Sequence, residues 1–238
     1  MRYDRQRALG LIGSRQKLLE KGRAVIIGVG GLGTNCAEML ARAGVGKLVL
    51  VDRDRVELEN LQRQALFTEK DIGKYKAKVA AAMLEKINSE IKVEAVVKEL
   101  NADNAGLLKS DIVLDCTDNL ETRHLINEYC SREKIAWVHA SVQGAQGMVM
   151  SFVPGNGICY NCIFRDSFAK QTTKTAGILN TTVKAVASFQ VTEAMKILTK
   201  QEAGKEMLHV NLWKQTLERI KVKQDKNCNV CNGKYKLI

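Results

Sequence analysis

Arg23-Ala-Val-Ile-Ile27-Gly28-Val-Gly30-Gly31-Leu-Gly33 decides the reading of this chain. A short apolar run ends in four glycines, and a helical pattern follows over residues 34–43 until Gly44 and Gly46 stop it. That order specifies a buried strand turning tightly into a helix. The next apolar run, 47–51, reads as a second strand and ends at Asp52. Gly28, Gly30, Gly31 and Gly33 let backbone approach a phosphate, and the helix start offers unpaired N–H groups and a positive dipole end. Asp52 stands where a carboxylate hydrogen-bonds a ribose hydroxyl. Glycines serving only a tight turn are the plainer reading; the strand, the helix and Asp52 around them favour a nucleotide.

Outward from this unit, short β-rich runs alternate with helical patterns. Ala80, Met83, Leu84 and Ile87 share one helix face, which predicts a helix over about 74–88. Strands are predicted at 92–97 and 112–115, a helix at about 119–132, and a strand near 135–139. This alternation predicts an α/β fold, a doubly wound Rossmann-like and mostly parallel sheet with helices packed on it. Beyond it a strand at 148–153 precedes the chain's one proline, Pro154. Residues 165–175 are polar and patternless, which suggests a mobile loop. Val183, Ala187, Val191, Ala194 and Leu198 mark a long amphipathic helix. Leu208, Val210 and Leu212, then Ile220 and Val222, alternate with polar residues as an antiparallel hairpin does. The expected organisation is one domain over 1–238: an N-terminal helical arm (1–21), a nucleotide-binding part (22–140), and a part with antiparallel strands, the loop and two cysteine pairs (141–238).

A chain of 238 residues with 45% apolar and 26% charged residues has the balance of a soluble globular protein. No run approaches the length of a membrane span, and Met1-Arg2-Tyr3-Asp4-Arg5 lacks the apolar core of a signal peptide, so a cytoplasmic location is expected. The net charge of +11 suggests an anionic partner: nucleotide phosphates, an acidic protein or nucleic acid. The cations are dispersed, with few aromatics among them, which weighs against nucleic acid.

Seven cysteines in a cytosolic chain are expected as reduced thiols or metal ligands. Cys159/Cys162 and Cys228/Cys231 are two CxxC pairs with turn-forming neighbours such as Asn227, Asn229 and Gly233. Four thiolates from two such knuckles make a closed tetrahedral site for structural Zn²⁺. A redox pair or unrelated free thiols are the rival readings. Cys36, Cys116 and Cys130 stand singly in apolar surroundings and read as core. His124, His139 and His209 fall in no metal-ligand spacing and read as structural. Trp137 and Trp213 read as packing or interface residues.

The glycine loop alone would favour NAD. A triphosphate carries more charge and needs cations, usually with a metal ion. The chain supplies them in Asn60-Leu-Gln-Arg63-Gln64 and Gly73-Lys-Tyr-Lys76. Asp118, in Asp115-Cys-Thr-Asp118-Asn119, follows the end of a predicted strand, where open α/β sheets bind ligands and a carboxylate can hold Mg²⁺. The combination fits ATP with Mg²⁺ better than NAD.

These motifs, taken in order with Arg2-Tyr3-Asp4-Arg5-Gln6 and both CxxC pairs, resemble the ThiF/MoeB/HesA family, bacterial relatives of the ubiquitin-activating enzymes. The resemblance runs over nearly the whole chain. It implies an ATP-dependent adenylyltransferase that forms an acyl-adenylate on the C-terminal glycine of a small ubiquitin-like sulfur-carrier protein ending in Gly-Gly, releasing pyrophosphate. By motif position Asp52 would bind the ribose, and Arg63 and Lys76 the phosphates. Asn60 would assist phosphate placement, and Asp118, with Asn119 beside it, would hold Mg²⁺. Arg5 resembles an arginine donated across a homodimer interface to the neighbouring subunit's ATP. Some family members carry a cysteine before an Ala-Gly-(Val/Ile) step, and in the thiamine branch it joins the carrier covalently. Here Thr173 stands at that position in Gln171-Thr-Thr173-Lys-Thr-Ala176-Gly177-Ile178. A hydroxyl cannot form a persulfide or thioester, so adenylation without a covalent step is expected, with a separate protein as sulfur donor. Cys116 and Cys130 look too buried to substitute. Alternatives are activation of a carboxylate on a modified tRNA base, an NAD-dependent oxidoreductase, and a binding module without catalysis.

Overall fold

The computed structural model describes residues 2–165 and 177–238. Among them eight strands form one sheet: β1 (Arg23–Ile27), β2 (Lys47–Val51), β3 (Lys92–Val96), β4 (Ile112–Asp115), β5 (Trp137–Gln143), β6 (Gln146–Phe152), β7 (Met207–Asn211) and β8 (Thr216–Ile220). Their order is β3-β2-β1-β4-β5-β6-β7-β8. The first five run parallel, and β5 to β8 pair antiparallel in chain order.

β1 reads as a continuous apolar run because both its faces are covered. Ala24 and Ile26 point into a core shared with α3 (Gly31–Ala43), α4 (Lys76–Ile87) and α7 (Asn180–Leu198). Val25 and Ile27 point into the opposite core, with α5 (Leu120–Glu133) and the short α6 (Tyr160–Phe164). Helices on both faces make the sheet doubly wound, and the antiparallel strands extend one side of it.

The first helix begins earlier than the residue pattern predicts, at Gly31 rather than Thr34. The reason is steric. Gly28 adopts φ +86° to turn the chain, and a Cβ on Gly33 would come within 1.9 Å of the Gly28 carbonyl oxygen. Only glycines allow the first helical turn to press against the strand end, so they belong to the helix itself. β5 runs on past His139 to Gln143, because its last residues pair with β6 instead of β4. Val222 falls beyond β8 and α6 has too few residues for a periodic signal.

The N-terminal arm, with α1 (Asp4–Arg7) and α2 (Gln16–Lys21), is tied to the C-terminal end of α3. Gln6 Nε2 donates to the Ala43 carbonyl at 3.0 Å, and Asn88 Nδ2 donates to Tyr3 Oη at 2.8 Å and to the Ala41 carbonyl at 2.7 Å. Apart from Arg165, the expected polar loop and Thr173 lie outside the described residues.

Candidate nucleotide edge and cysteine cluster

β1 lies between β2 and β4, so the chain order reverses on either side of it. The segments that follow β1, β2 and β4 therefore leave the sheet at one edge, around the switch point where doubly wound sheets bind ligands. The Gly28 loop and the segment after β4 touch: a Cβ on Gly28 would lie 2.7 Å from the Cys116 carbonyl oxygen. The N-termini of α3, α4 and α5 converge on this edge and give it a positive field.

Asp52, just past β2, points back at the glycine loop. Its Oδ2 accepts from Val29 N at 2.6 Å and its Oδ1 from Asp54 N at 2.7 Å. Burial raises its pKa, opposed by those two N–H groups and by the charge of Lys76. Lys76 opens α4, is buried, and places Nζ 3.4 Å from Asp54 Oδ2. Arg63 comes to the same loop by another route. Its carbonyl accepts from Asn35 Nδ2 on α3 at 3.2 Å, and its Cγ would lie 3.5 Å from a Cβ on Gly31. Asn60 sits beneath that turn, buried; its Oδ1 accepts from Glu57 N at 3.2 Å, and its carbonyl accepts from Arg63 N and Gln64 N.

After β4, Asp118 is exposed at the edge, next but one to Cys116. Asn119 caps α5, its Oδ1 accepting from Thr122 N at 2.8 Å. Behind them Asp115 is fully buried. Its Oδ1 accepts from Thr117 N at 3.0 Å and Thr117 Oγ1 at 2.7 Å, and its Oδ2 faces His139 Nδ1 at 2.6 Å. Burial works against the Asp115 charge, yet His139, Arg123 and Thr117 together hold its pKa below the usual value. Burial outweighs Asp115 at His139, whose pKa is depressed, so the ring is neutral at pH 7 and donates its Nδ1 proton to Asp115. Gln190 of α7 donates to the Asp115 carbonyl at 2.8 Å and to the Val138 carbonyl at 3.0 Å.

The structure thus brings together Gly28, Gly30, Gly31, Gly33, Asp52, Arg63, Lys76 and Asp118, with Asn60 and Asn119 shaping the turns that carry them. It does not bring Arg5 to them. Arg5 is exposed on α1, held at the end of α3 away from the chain's own glycine loop.

Four sulfurs meet elsewhere. The Sγ atoms of Cys159, Cys162, Cys228 and Cys231 all lie within 4.8 Å of one another. The distances are 3.9 Å for Cys159–Cys162, 3.5 Å for Cys159–Cys228 and 3.4 Å for Cys162–Cys231. Tetrahedral zinc with four thiolates at about 2.3 Å requires S···S separations of roughly 3.8 Å, so the set fits. Burial, then the charge of Cys162, pushes the Cys159 thiol up to about 12.

Residue-pattern reasoning missed Asp54, which pairs with Lys76, and the Asp115–Arg123–His139 group. Asp54 had a signal in the Asp52-x-Asp54 alternation; Arg123 had none, since only folding brings it back to Thr117. Cys36 and Cys130 are buried and Cys116 partly so. His124 and His139 are buried. Trp137 is core, whereas Trp213 is 79% exposed. Among the described residues no helix is long and apolar enough to cross a membrane.

Comparison with known proteins gives a match to the ThiF family over residues 3–230. The sulfur carrier protein ThiS adenylyltransferase of Bacillus subtilis is 41% identical, over 98% of this chain and 72% of that protein. The molybdopterin-synthase adenylyltransferase of Escherichia coli is 35% identical, over 97% of this chain and 96% of that protein. A crystal structure of E. coli MccB with ATP superposes with a TM-score of 0.80 at 25% identity, covering 91% of this chain and 68% of that one.

Proposed function

This chain belongs to the ThiF family, and on that premise we propose that it adenylates the C-terminal glycine carboxylate of a small ubiquitin-like sulfur carrier, consuming ATP and releasing pyrophosphate. The observation that carries this reading is the meeting of a glycine loop, Asp52, two cations and Asp118 at the switch point of one sheet edge. A dinucleotide needs the loop and Asp52 but gives Arg63 and Lys76 no task.

The chemistry follows from charge. The carrier's carboxylate is ionised at neutral pH and needs no general base. It attacks the α-phosphorus in line; a carboxylate O–P bond forms, the bond to the bridging β-phosphate oxygen breaks, and pyrophosphate departs with the negative charge. The glycine loop and the start of α3 receive phosphate oxygens. Asp52 takes a ribose hydroxyl. Arg63 and Lys76 counter the charge that grows on the leaving pyrophosphate, and Asp54 keeps Lys76 in place. Asp118 would hold Mg²⁺, which would supply positive charge to offset that of the phosphates. Asn60 and Asn119 fix the turns that present Arg63 and Asp118.

Arg5 serves a neighbouring subunit in a homodimer. Its position at the far end of α3 supports a role in trans, and Leu9 and Leu11 on the same arm are exposed apolar residues that a second copy would cover. The cysteine cluster holds structural zinc. With Thr173 in place of a cysteine, the adenylate is the product, and another protein supplies sulfur.

ATP–pyrophosphate exchange with candidate carriers ending in Gly-Gly tests the reading. Exchange that depends on such a carrier and vanishes in Asp118→Ala is expected. Nicotinamide dinucleotide binding without ATP binding would refute it.

A further inference from the structure

Asp115 is fully buried, and a buried charge set is weak evidence of a purely stabilising role. One of its oxygens is given wholly to Thr117, and the other to two residues from neighbouring elements. One carboxylate oxygen accepts both the N–H and the hydroxyl of Thr117, at 3.0 and 2.7 Å. The other faces His139 Nδ1 at 2.6 Å and Arg123 Nε at 3.6 Å. Arg123 then closes the loop, its Nη2 donating to the Thr117 carbonyl at 2.7 Å. Thr117 is thereby held at its N–H, its side chain and its carbonyl, and the residue that follows it is Asp118.

We propose that Arg123 and His139, acting through Asp115, are positioning residues that fix the Cys116–Asn119 segment so that the Asp118 carboxylate stands ready for the divalent cation of a nucleotide. The inference rests on the adenylation reading for the place of the metal. Neither residue touches the ligand. Arg123 reaches forward from the first turn of α5 and His139 sideways from β5, so the segment is clamped from two separate elements. The guanidinium donates to the Thr117 carbonyl at 2.7 Å while its Nε stays in ion-pair range of the Asp115 carboxylate at 3.6 Å, a spread of charge and donor that a lysine ammonium cannot reproduce in the same geometry. Partners of metal ligands, when removed, typically cost about 10–100-fold in metal affinity.

The test is a Mn²⁺ titration followed by electron paramagnetic resonance in the presence of ATP, with full-length wild type, Arg123→Lys, His139→Gln and Asp118→Ala. Arg123→Lys is expected to raise the Mn²⁺ midpoint about tenfold or more and His139→Gln by a smaller factor. ATP affinity measured without metal should stay within about twofold of wild type in both variants. A purely structural role would lower the melting midpoint while leaving the Mn²⁺ midpoint unchanged in both variants, and that result overturns the proposal. If Arg123→Lys fails to fold, His139→Gln decides alone. An unchanged midpoint in Asp118→Ala means the metal sits elsewhere, and the inference falls with that assignment. Wild type that exchanges no pyrophosphate with any carrier, yet shows the expected metal shifts, refutes adenylation and leaves the inference standing.

Discussion

The nucleotide edge and the cysteine cluster solve the same problem, bringing distant residues together, by different means. At the edge, parallel strands paired in fixed register deliver the segments after β1, β2 and β4 to one place, and the flanking helices bury both faces of those strands. The cluster has no such frame. Its own core comprises Cys159, Cys228 and Val230, with Cys162 and Tyr235 packed against them. Nearby β8 is exposed along its length. Sheet register organises the first site; on the zinc reading, thiolate coordination would organise the second.

That contrast predicts separable failures. Replacing Lys76 or Arg63 by alanine should have the largest effect, a fall of about 100–1,000-fold in carrier-dependent pyrophosphate exchange. Metal content measured by mass spectrometry should not change, because the cluster is built independently. Zinc found depleted in Lys76→Ala would show that the two regions are coupled.

Cys228→Ser or prolonged chelation comes next. Loss on the order of 2 kcal/mol is expected, a drop of roughly 4–8 °C in melting midpoint for a chain of this size. ATP affinity should remain near wild type. A collapse of ATP binding on chelation would mean that the edge also depends on the cluster.

Acidification sharpens the comparison. His139 has a depressed pKa in the folded protein, whereas in the unfolded chain it takes a proton near its ordinary value of about 6.5. As pH falls below that value the unfolded state binds the proton and the native state does not, so stability declines until the folded pKa is reached. Asp115, also depressed when folded, adds a second loss below about 3.9. Thermal melts of metal-stripped protein from pH 8 to pH 5 isolate the His139 effect from acid release of the metal. His139→Gln should flatten the slope in that window; an unaltered slope would assign the acid sensitivity to other groups.

The smallest change belongs to Trp213, exposed beside β8. Trp213→Ala should alter stability by no more than about 0.5 kcal/mol and leave ATP affinity untouched, as judged by denaturant unfolding and calorimetry.

Much of the fold was legible because its signals are local. Four glycines before a helix, apolar runs of strand length and helical spacing at Ala80–Ile87 each depend on residues a few positions apart. The convergence of Asp52, Arg63, Lys76 and Asp118 was legible too, since a parallel sheet sends its loops to one edge. Where β5 stops was not, because Ala140 to Gln143 pair with a strand whose register no local pattern encodes. The helix start at Gly31 was missed for a steric reason that only the fold supplies. Arg123 and His139 were unreadable as a pair, since Asp115 joins them through space.

The placement of β1 has a consequence for the newborn chain. β1 pairs with β2 on one side and with β4 on the other, and Ala24 finds its β4 partner only at Ile112. Until the ribosome has delivered that later segment, this apolar strand has a bare edge with unsatisfied amides, open to pairing with any other emerging polypeptide. Synthesis paused between Val96 and Ile112 is therefore the moment at which this protein is most in need of a chaperone.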